Sequence, residues 1–110
     1  GCQGVLIGFE SLDPAALAAM HKDFNTMRGG YDVALANLRR HRLRLYGTFI
    51  FGYDTDTAES FTRAVEFARA HRFYIAAFNH LTPFPGTPLY ARLAAEGRLL
   101  YDAWWLDERY

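Results

Sequence analysis

Leu45-Tyr46-Gly47-Thr48-Phe49-Ile50-Phe51, closed by Gly52-Tyr53-Asp54, decides the fold. A run rich in aromatic and β-branched side chains reads as a strand, and the glycine and acid behind it end the strand. The same device occurs twice more. Upstream, Gly4-Val5-Leu6-Ile7-Gly8-Phe9 ends in Glu10-Ser11; downstream, Tyr74-Ile75-Ala76-Ala77-Phe78 ends in Asn79-His80-Leu81-Thr82. Helical segments separate the three. Strands alternating with helices make a parallel sheet or barrel, because a parallel connection is long and a helix supplies it. Ligands in such folds bind where the strands end. The unusual glycine and polar residues gather there.

Between the strands the helices announce themselves by their caps. Asp13 stands as N-cap before Pro14, at a position where proline's missing N–H costs nothing, and the helix runs to about His21. Lys22 to Thr26 break the pattern, and Gly29-Gly30 turn the chain into a second helix, about Tyr31 to His41. Asp56 with Glu59 three residues on reads as a capping box. Phe61, Ala64, Val65 and Ala68 then form one apolar stripe. Thr87-Pro88 opens a fourth helix, which Gly97 ends. The expected architecture is α/β, in the order β-α-α-β-α-β-α. Its three parallel strands should lie in sequential order, with helices on one face.

The 110 residues allow one domain, and 51% hydrophobic with 16% aromatic content makes it globular. Twelve basic residues balance twelve acidic ones, so no nucleic-acid partner is expected. Arg39, Arg40, Arg42 and Arg44 do cluster, but at a helix end, where cations meet the negative helix terminus. No apolar stretch is long enough to span a membrane. The lone Cys2 excludes an internal disulfide and fits a reducing, cytoplasmic setting. It cannot by itself hold an iron–sulfur cluster. The chain starts without methionine almost inside its first strand and stops soon after Trp104-Trp105, which reads as a segment of a longer protein. That aromatic tail is expected to pack against the rest of it.

Glu10 and Ser11 lie at the end of the first strand. Either a ligand's hydroxyl groups or the backbone donors of the following turn can occupy the Glu10 carboxylate. Gly47 and Gly52 mark close approach to the second strand, by a flat ligand ring or by a helix. Of the four histidines, His41 and His71 lie at helix ends, where the last carbonyls need donors, and His21 ends the first helix. Only His80, beside Asn79, lies at the functional edge.

Three segments resemble successive signatures of the radical S-adenosylmethionine superfamily: Gly8-Phe9-Glu10-Ser11, Gly47 through Asp54, and Leu81-Thr82-Pro83-Phe84-Pro85-Gly86-Thr87-Pro88-Leu89-Tyr90. Their order and separations are similar to those of members that carry a cobalamin-binding domain. The resemblance implies an incomplete (β/α)6, TIM-like barrel, of which residues 1–110 are the C-terminal half, strands four to six. It implies S-adenosylmethionine and a [4Fe–4S] cluster as cofactors, with cobalamin in the parent enzyme, and a small-molecule substrate.

Residue by residue, the resemblance makes Glu10, with Ser11 beside it, the group at the end of strand four that binds the ribose or amino end of the ligand. Thr48 faces the ribose hydroxyls, Ile50 and Gly52 pack against adenine, and Leu81 and Thr82 close over the adenine edge by backbone contacts. Asp56 takes the nearest place to the acid that ends the strand-five motif. Lys22 matches a cation set against the methionyl carboxylate; a solvated helix-end lysine is the plain alternative. The family's Cys-x3-Cys-x2-Cys triad belongs to strands this chain lacks, so the cluster ligands fall outside it. No residue here is assigned a catalytic or metal-binding role, and the segment alone is expected to be inert. Its partner would be the N-terminal half-barrel. Two alternatives stand beside the enzyme segment: a half-barrel that only binds a nucleotide or adenosyl group, and a β/α module that self-associates through its open edge.

Overall fold

The computed structural model describes residues 1–22 and 30–109. Strands β1 (Gly4–Glu10), β2 (Arg44–Phe51) and β3 (Ile75–His80) form one parallel sheet in the order β1-β2-β3. Helices α1 (Pro14–Ala19) and α2 (Gly30–Arg40) join the first two strands, and α3 (Ala58–Ala70) joins the last two. After β3 come α4 (Pro88–Ala95) and a 3-10 turn, Trp104–Leu106. The expected element order and strand order both hold. The sheet is open, with β1 and β3 as its edges. Asp23 to Thr26 and Gly29, named above as pattern break and turn, lie outside the described residues.

Strand side chains alternate between faces, so each strand contributes every second residue to one side. Val5, Ile7 and Phe9 of β1 and Leu45, Gly47, Phe49 and Phe51 of β2 face α2 and α3. Phe49, 1% exposed, stacks on Phe9 at 5.6 Å and on Phe78 at 5.6 Å, and Phe67 of α3 meets Phe9 edge-on. Gly47 makes room in this cluster. A Cβ there would stand 2.2 Å from Cε2 of Phe73 and 3.1 Å from Cε2 of Phe9. The flat ring over that bare stretch of strand is the protein's own. The other face carries Leu6, Tyr46 and Ile75, all exposed, and among the described residues no helix covers it.

The stripe of α3 is rotated from its expected position. Ser60, Ala64 and Ala68 are buried with Phe67 beside them, while Phe61 and Val65 remain half exposed. The reason is tertiary: Phe9, Phe49 and Phe73 offer a ring-lined surface that Phe67 fits, and Phe61 meets Phe51, at 4.4 Å, toward the rim. The cap of α3 also moves. Thr57 is the N-cap, with its N–H donating to Ser60 Oγ at 3.1 Å, and Asp56 is released for another role. Asp13 and Thr87 cap as expected, accepting from Ala15 N at 2.9 Å and Tyr90 N at 3.2 Å.

Helices α1 to α4 each end in the same hydrogen-bonded turn, in which the residue after the cap turns left-handed and the next N–H reaches back to the last turn. These long bonds are Lys22 to Leu17 O, Leu43 to Leu38 O, Phe73 to Ala68 O and Arg98 to Leu93 O. The left-handed residue is Gly97 after α4, but His21, Arg42 and Arg72 after the others, at φ of 55°, 56° and 54°. A side chain in that conformation costs roughly 1 kcal/mol where glycine costs nothing. His71, expected to cap the last carbonyls of α3, instead packs on Phe67 and turns Nε2 to Asp32 at 3.6 Å.

Candidate functional site

β1 ends in a bulge: Gly8 pairs with Thr48, and Glu10 with Phe49. Phe9 keeps its place in the core while Glu10 adopts φ 62°, a left-handed conformation unusual for a residue with a Cβ. The twist folds the Glu10 carboxylate back over Gly8 on the open face. A Cβ on Gly8 would lie 2.5 Å from Glu10 Oε1 and 3.7 Å from Thr48 Oγ1. Gly8 is therefore the cradle for this carboxylate.

The short helix α1 brings the second charge. Ala16 and Leu17 bury its inner side, and its end turn returns the chain so that Lys22 N donates to Leu17 O at 2.8 Å. Lys22 Nζ then reaches Glu10 Oε1 at 2.7 Å, with the Glu10 side chain only 16% exposed. Two residues singled out separately, twelve apart in sequence, are one charge-assisted pair. Thr48 and Ile50 project from β2 on the same open face, Thr48 beside Ala77 and Ile50 beside Asn79.

Gly52 follows β2 at φ 117°, a conformation that suits glycine. Its N–H and that of Tyr53 both donate to Asp56 Oδ2, at 2.8 and 3.0 Å. Asp56 thus secures the loop after β2. Leu81 N donates to Phe51 O at 2.7 Å, and Leu81 Cβ sits 3.2 Å from where a Gly52 Cβ would be. Thr82 Oγ1 donates to His80 O at 3.1 Å. Glu10, Lys22, Thr48, Ile50, Gly52 and Leu81 accordingly gather at the C-terminal end of the sheet, with Thr82 next along.

Ser11 is the exception. It is buried, its Oγ accepts from Asp13 N at 3.0 Å, and it shares a small pocket with Glu10, Phe49, Phe51 and Ala64. His80, which the sequence places at this edge, lies off the open face. Its register partner is Phe51, on the helix-covered face, while its neighbour Asn79 has the open-face position. Cys2 lies at the other end of β1, its thiol donating to Gly4 O.

Tyr53 was not singled out from sequence, yet it belongs to the site. It lines a cavity of about 600 Å³ with Met20, Leu81, Pro88 and Leu89. Burial raises its phenol pKa, and the charges of Glu10 and then Asp56 push the same way. The phenol stays protonated at neutral pH and can donate. Its position immediately past the glycine of the strand-two loop was the available signal.

No family model and no solved structure matches the chain. Over 93 residues it is 40% identical to the bacteriochlorophyllide d C-12(1)-methyltransferase of Chlorobaculum tepidum, covering 84% of this chain and 20% of that protein. Over 98 residues it is 35% identical to the hopanoid C-2 methylase of Rhodopseudomonas palustris, covering 89% and 18% respectively. The bacteriochlorophyllide d C-8(2)-methyltransferase of C. tepidum is 29% identical over 104 residues, 94% of this chain and 23% of that one. The chain spans about a fifth of the length of these curated relatives.

Proposed function

We infer function from the family: the chain belongs to the radical S-adenosylmethionine superfamily, to which its three motifs and its methyltransferase relatives assign it. Its role, we propose, is to supply the ribose- and adenine-contacting strands of the S-adenosylmethionine site in a methyl-transferring enzyme. On this reading β1 to β3 are strands four to six of an incomplete (β/α)6 barrel. The observation that carries it is the Glu10–Lys22 pair at 2.7 Å, at the C-terminal edge and on the face shared with Thr48 and Ile50.

The donor set fits such a ligand. Its amino-acid end bears an ammonium and a carboxylate, and Glu10 and Lys22 are their complements, already side by side. Glu10 accepts from the ammonium or a ribose hydroxyl, and Lys22 donates to the carboxylate. Thr48 offers a hydroxyl to the ribose. Ile50, Gly52 and Leu81 present apolar surface and bare backbone to a flat ring, with Thr82 closing its edge. Ser11 serves from behind, holding Asp13 N–H in the turn that carries Glu10. When bound, S-adenosylmethionine with a [4Fe–4S] cluster supplies one-electron chemistry and a transferable methyl group. The chain has a single cysteine, where such a cluster takes several thiolates, so the cluster ligands are assigned to the rest of the protein. Cobalamin is proposed for the parent on the family resemblance. The named relatives methylate bacteriochlorophyllide and hopanoid at carbon positions, and we assign the parent a substrate methylated at carbon in the same way.

S-adenosylhomocysteine binding to the whole protein tests the reading. Glu10→Gln should weaken it by about tenfold, the loss expected for one charge-assisted bond. Unchanged affinity in both Glu10→Gln and Thr48→Val would remove the site from this edge. A second reading has its own observation. Leu6 is 64% exposed and Ile75 45%, on a face that no helix among the described residues covers. We assign that face to the N-terminal half-barrel, and the isolated segment should self-associate through it. A monomer by sedimentation at micromolar concentration would count against both occupants.

A further inference from the structure

At the opposite end of the strands from Glu10, α2 and α3 both terminate and β2 and β3 begin. A cavity of about 460 Å³ lies between these four ends. Leu38, Leu43 and Phe73 contribute apolar surface to it, and Arg39, Arg42, Arg44 and Arg72 line it with positive charge. No carboxylate among the described residues lines it. Among the described residues none of the four arginines forms an ion pair; the carboxylates that are paired serve Lys22, His71, Arg92, Arg98 and Arg109. His71, also in the lining, faces Asp32, while Arg44 lies over the Tyr74 ring at 5.0 Å.

Two of these arginines occupy costly backbone. Arg42 and Arg72 are the left-handed residues that end α2 and α3, the position glycine fills after α4. His21 shows that another side chain can stand there after α1. At this cavity, however, both such positions carry a guanidinium and both border the same space. The helix dipole does not require them. Arg39 and Arg40 already place cations in the last turn of α2, and Arg69 in that of α3. Two helix C-termini bring roughly one negative charge in all, against four positive ones. The cavity is left with a cationic rim over an apolar floor. A strained position is a reason to look for function.

We propose that this cavity binds an amphiphilic anion, an apolar chain or ring bearing a phosphate or carboxylate. The head group lies on Arg42, Arg72 and Arg44, and the apolar part on Leu38, Leu43 and Phe73. Arginine suits the head because its planar fork meets two oxygens at once and stays charged. The site is independent of the adenosyl reading, since it lies at the other end of the sheet.

The test uses the whole protein with three probes: octyl phosphate below its micelle concentration, inorganic phosphate, and phosphatidylglycerol vesicles against phosphatidylcholine ones. Octyl phosphate should bind at least about tenfold more tightly than inorganic phosphate, because only it uses the floor. The double variant R42G/R72G should lose at least about tenfold in that affinity. It should also unfold at an equal or higher temperature, since glycine relieves both left-handed positions. Vesicle binding that depends on phosphatidylglycerol and is lost in R42G/R72G identifies a bilayer as the source; octyl phosphate binding without it identifies a free amphiphile. The proposal is overturned if octyl phosphate does not bind, if inorganic phosphate binds equally, or if R42G/R72G binds unchanged. It is overturned too if that variant is less stable than the parent, which would make the arginines helix caps.

Discussion

On the helix side of the sheet, Phe9, Phe49, Phe67 and Phe73 interlock, with Gly47 making room for Phe73 and Phe9, and Phe9 and Phe49 are each 1% exposed. On the open side the same strands expose Leu6, Tyr46 and Ile75, and toward their ends place Glu10, Thr48 and Ile50. One face spends its residues on stability, the other on recognition, and strand alternation keeps them apart. The difference teaches that neighbouring residues on one strand should fail in different assays.

Phe49→Ala is the strongest way to break that division. It should cost about 3–5 kcal/mol in denaturant unfolding, as for other large-to-small changes in packed cores. Its neighbour Ile50→Ala should cost far less, because Ile50 is only partly buried, while weakening S-adenosylhomocysteine binding. Equal losses of stability would mean that the open face is also a core.

The glycines sharpen the contrast. Gly47→Ala forces a methyl group toward the Phe73 ring, 2.2 Å from Cε2, and should destabilise by about 1–3 kcal/mol as other overpacked cores do. Gly8→Ala meets instead the movable tip of Glu10, at 2.5 Å. It should leave the unfolding midpoint nearly unchanged and weaken ligand binding about as much as Glu10→Gln. A large stability loss in Gly8→Ala with intact binding would reverse the assignment of the two faces.

Much of this frame is legible in the sequence because aromatic runs closed by glycine and acid carry both strand and edge. Parallel order and right-handed crossover then leave little choice. The misplaced features are those set by three-dimensional fit. Ala64 and Ala68 are compatible with more than one helix face, so Phe61 and Val65 drew the stripe toward themselves, while the phenylalanine cluster selects Phe67. Asp56 and Thr57 are both competent caps, and the nearby Gly52 and Tyr53 N–H groups decide between them. Glu10 and Lys22 were each visible as candidates. Their contact depends on the helix after Asp13 ending at Ala19 and on a left-handed His21, and the sequence has no signal for that early turn. Arg42 and Arg72 hide for the same reason, since glycine is the usual mark of that turn.

The smallest effect expected is at Tyr53, where recognition and stability meet. Its phenol is partly buried beside Glu10 and Asp56, and all three influences raise its pKa in the fold, burial first. In the unfolded chain the phenol titrates at its ordinary value of about 10. The folded form therefore holds its proton to higher pH than the unfolded one. Stability from this source is fully present below the unfolded pKa and is lost as pH rises from there through the folded pKa. Tyr53→Phe should flatten part of the alkaline fall in stability between about pH 9 and about pH 11. Glu10→Gln, by removing the second cause, should flatten less of it than Tyr53→Phe. Identical alkaline slopes in wild type and Tyr53→Phe, by urea unfolding at stepped pH, would detach Tyr53 from the Glu10 charge. The loop after β2 would then belong to the packing of α3 alone.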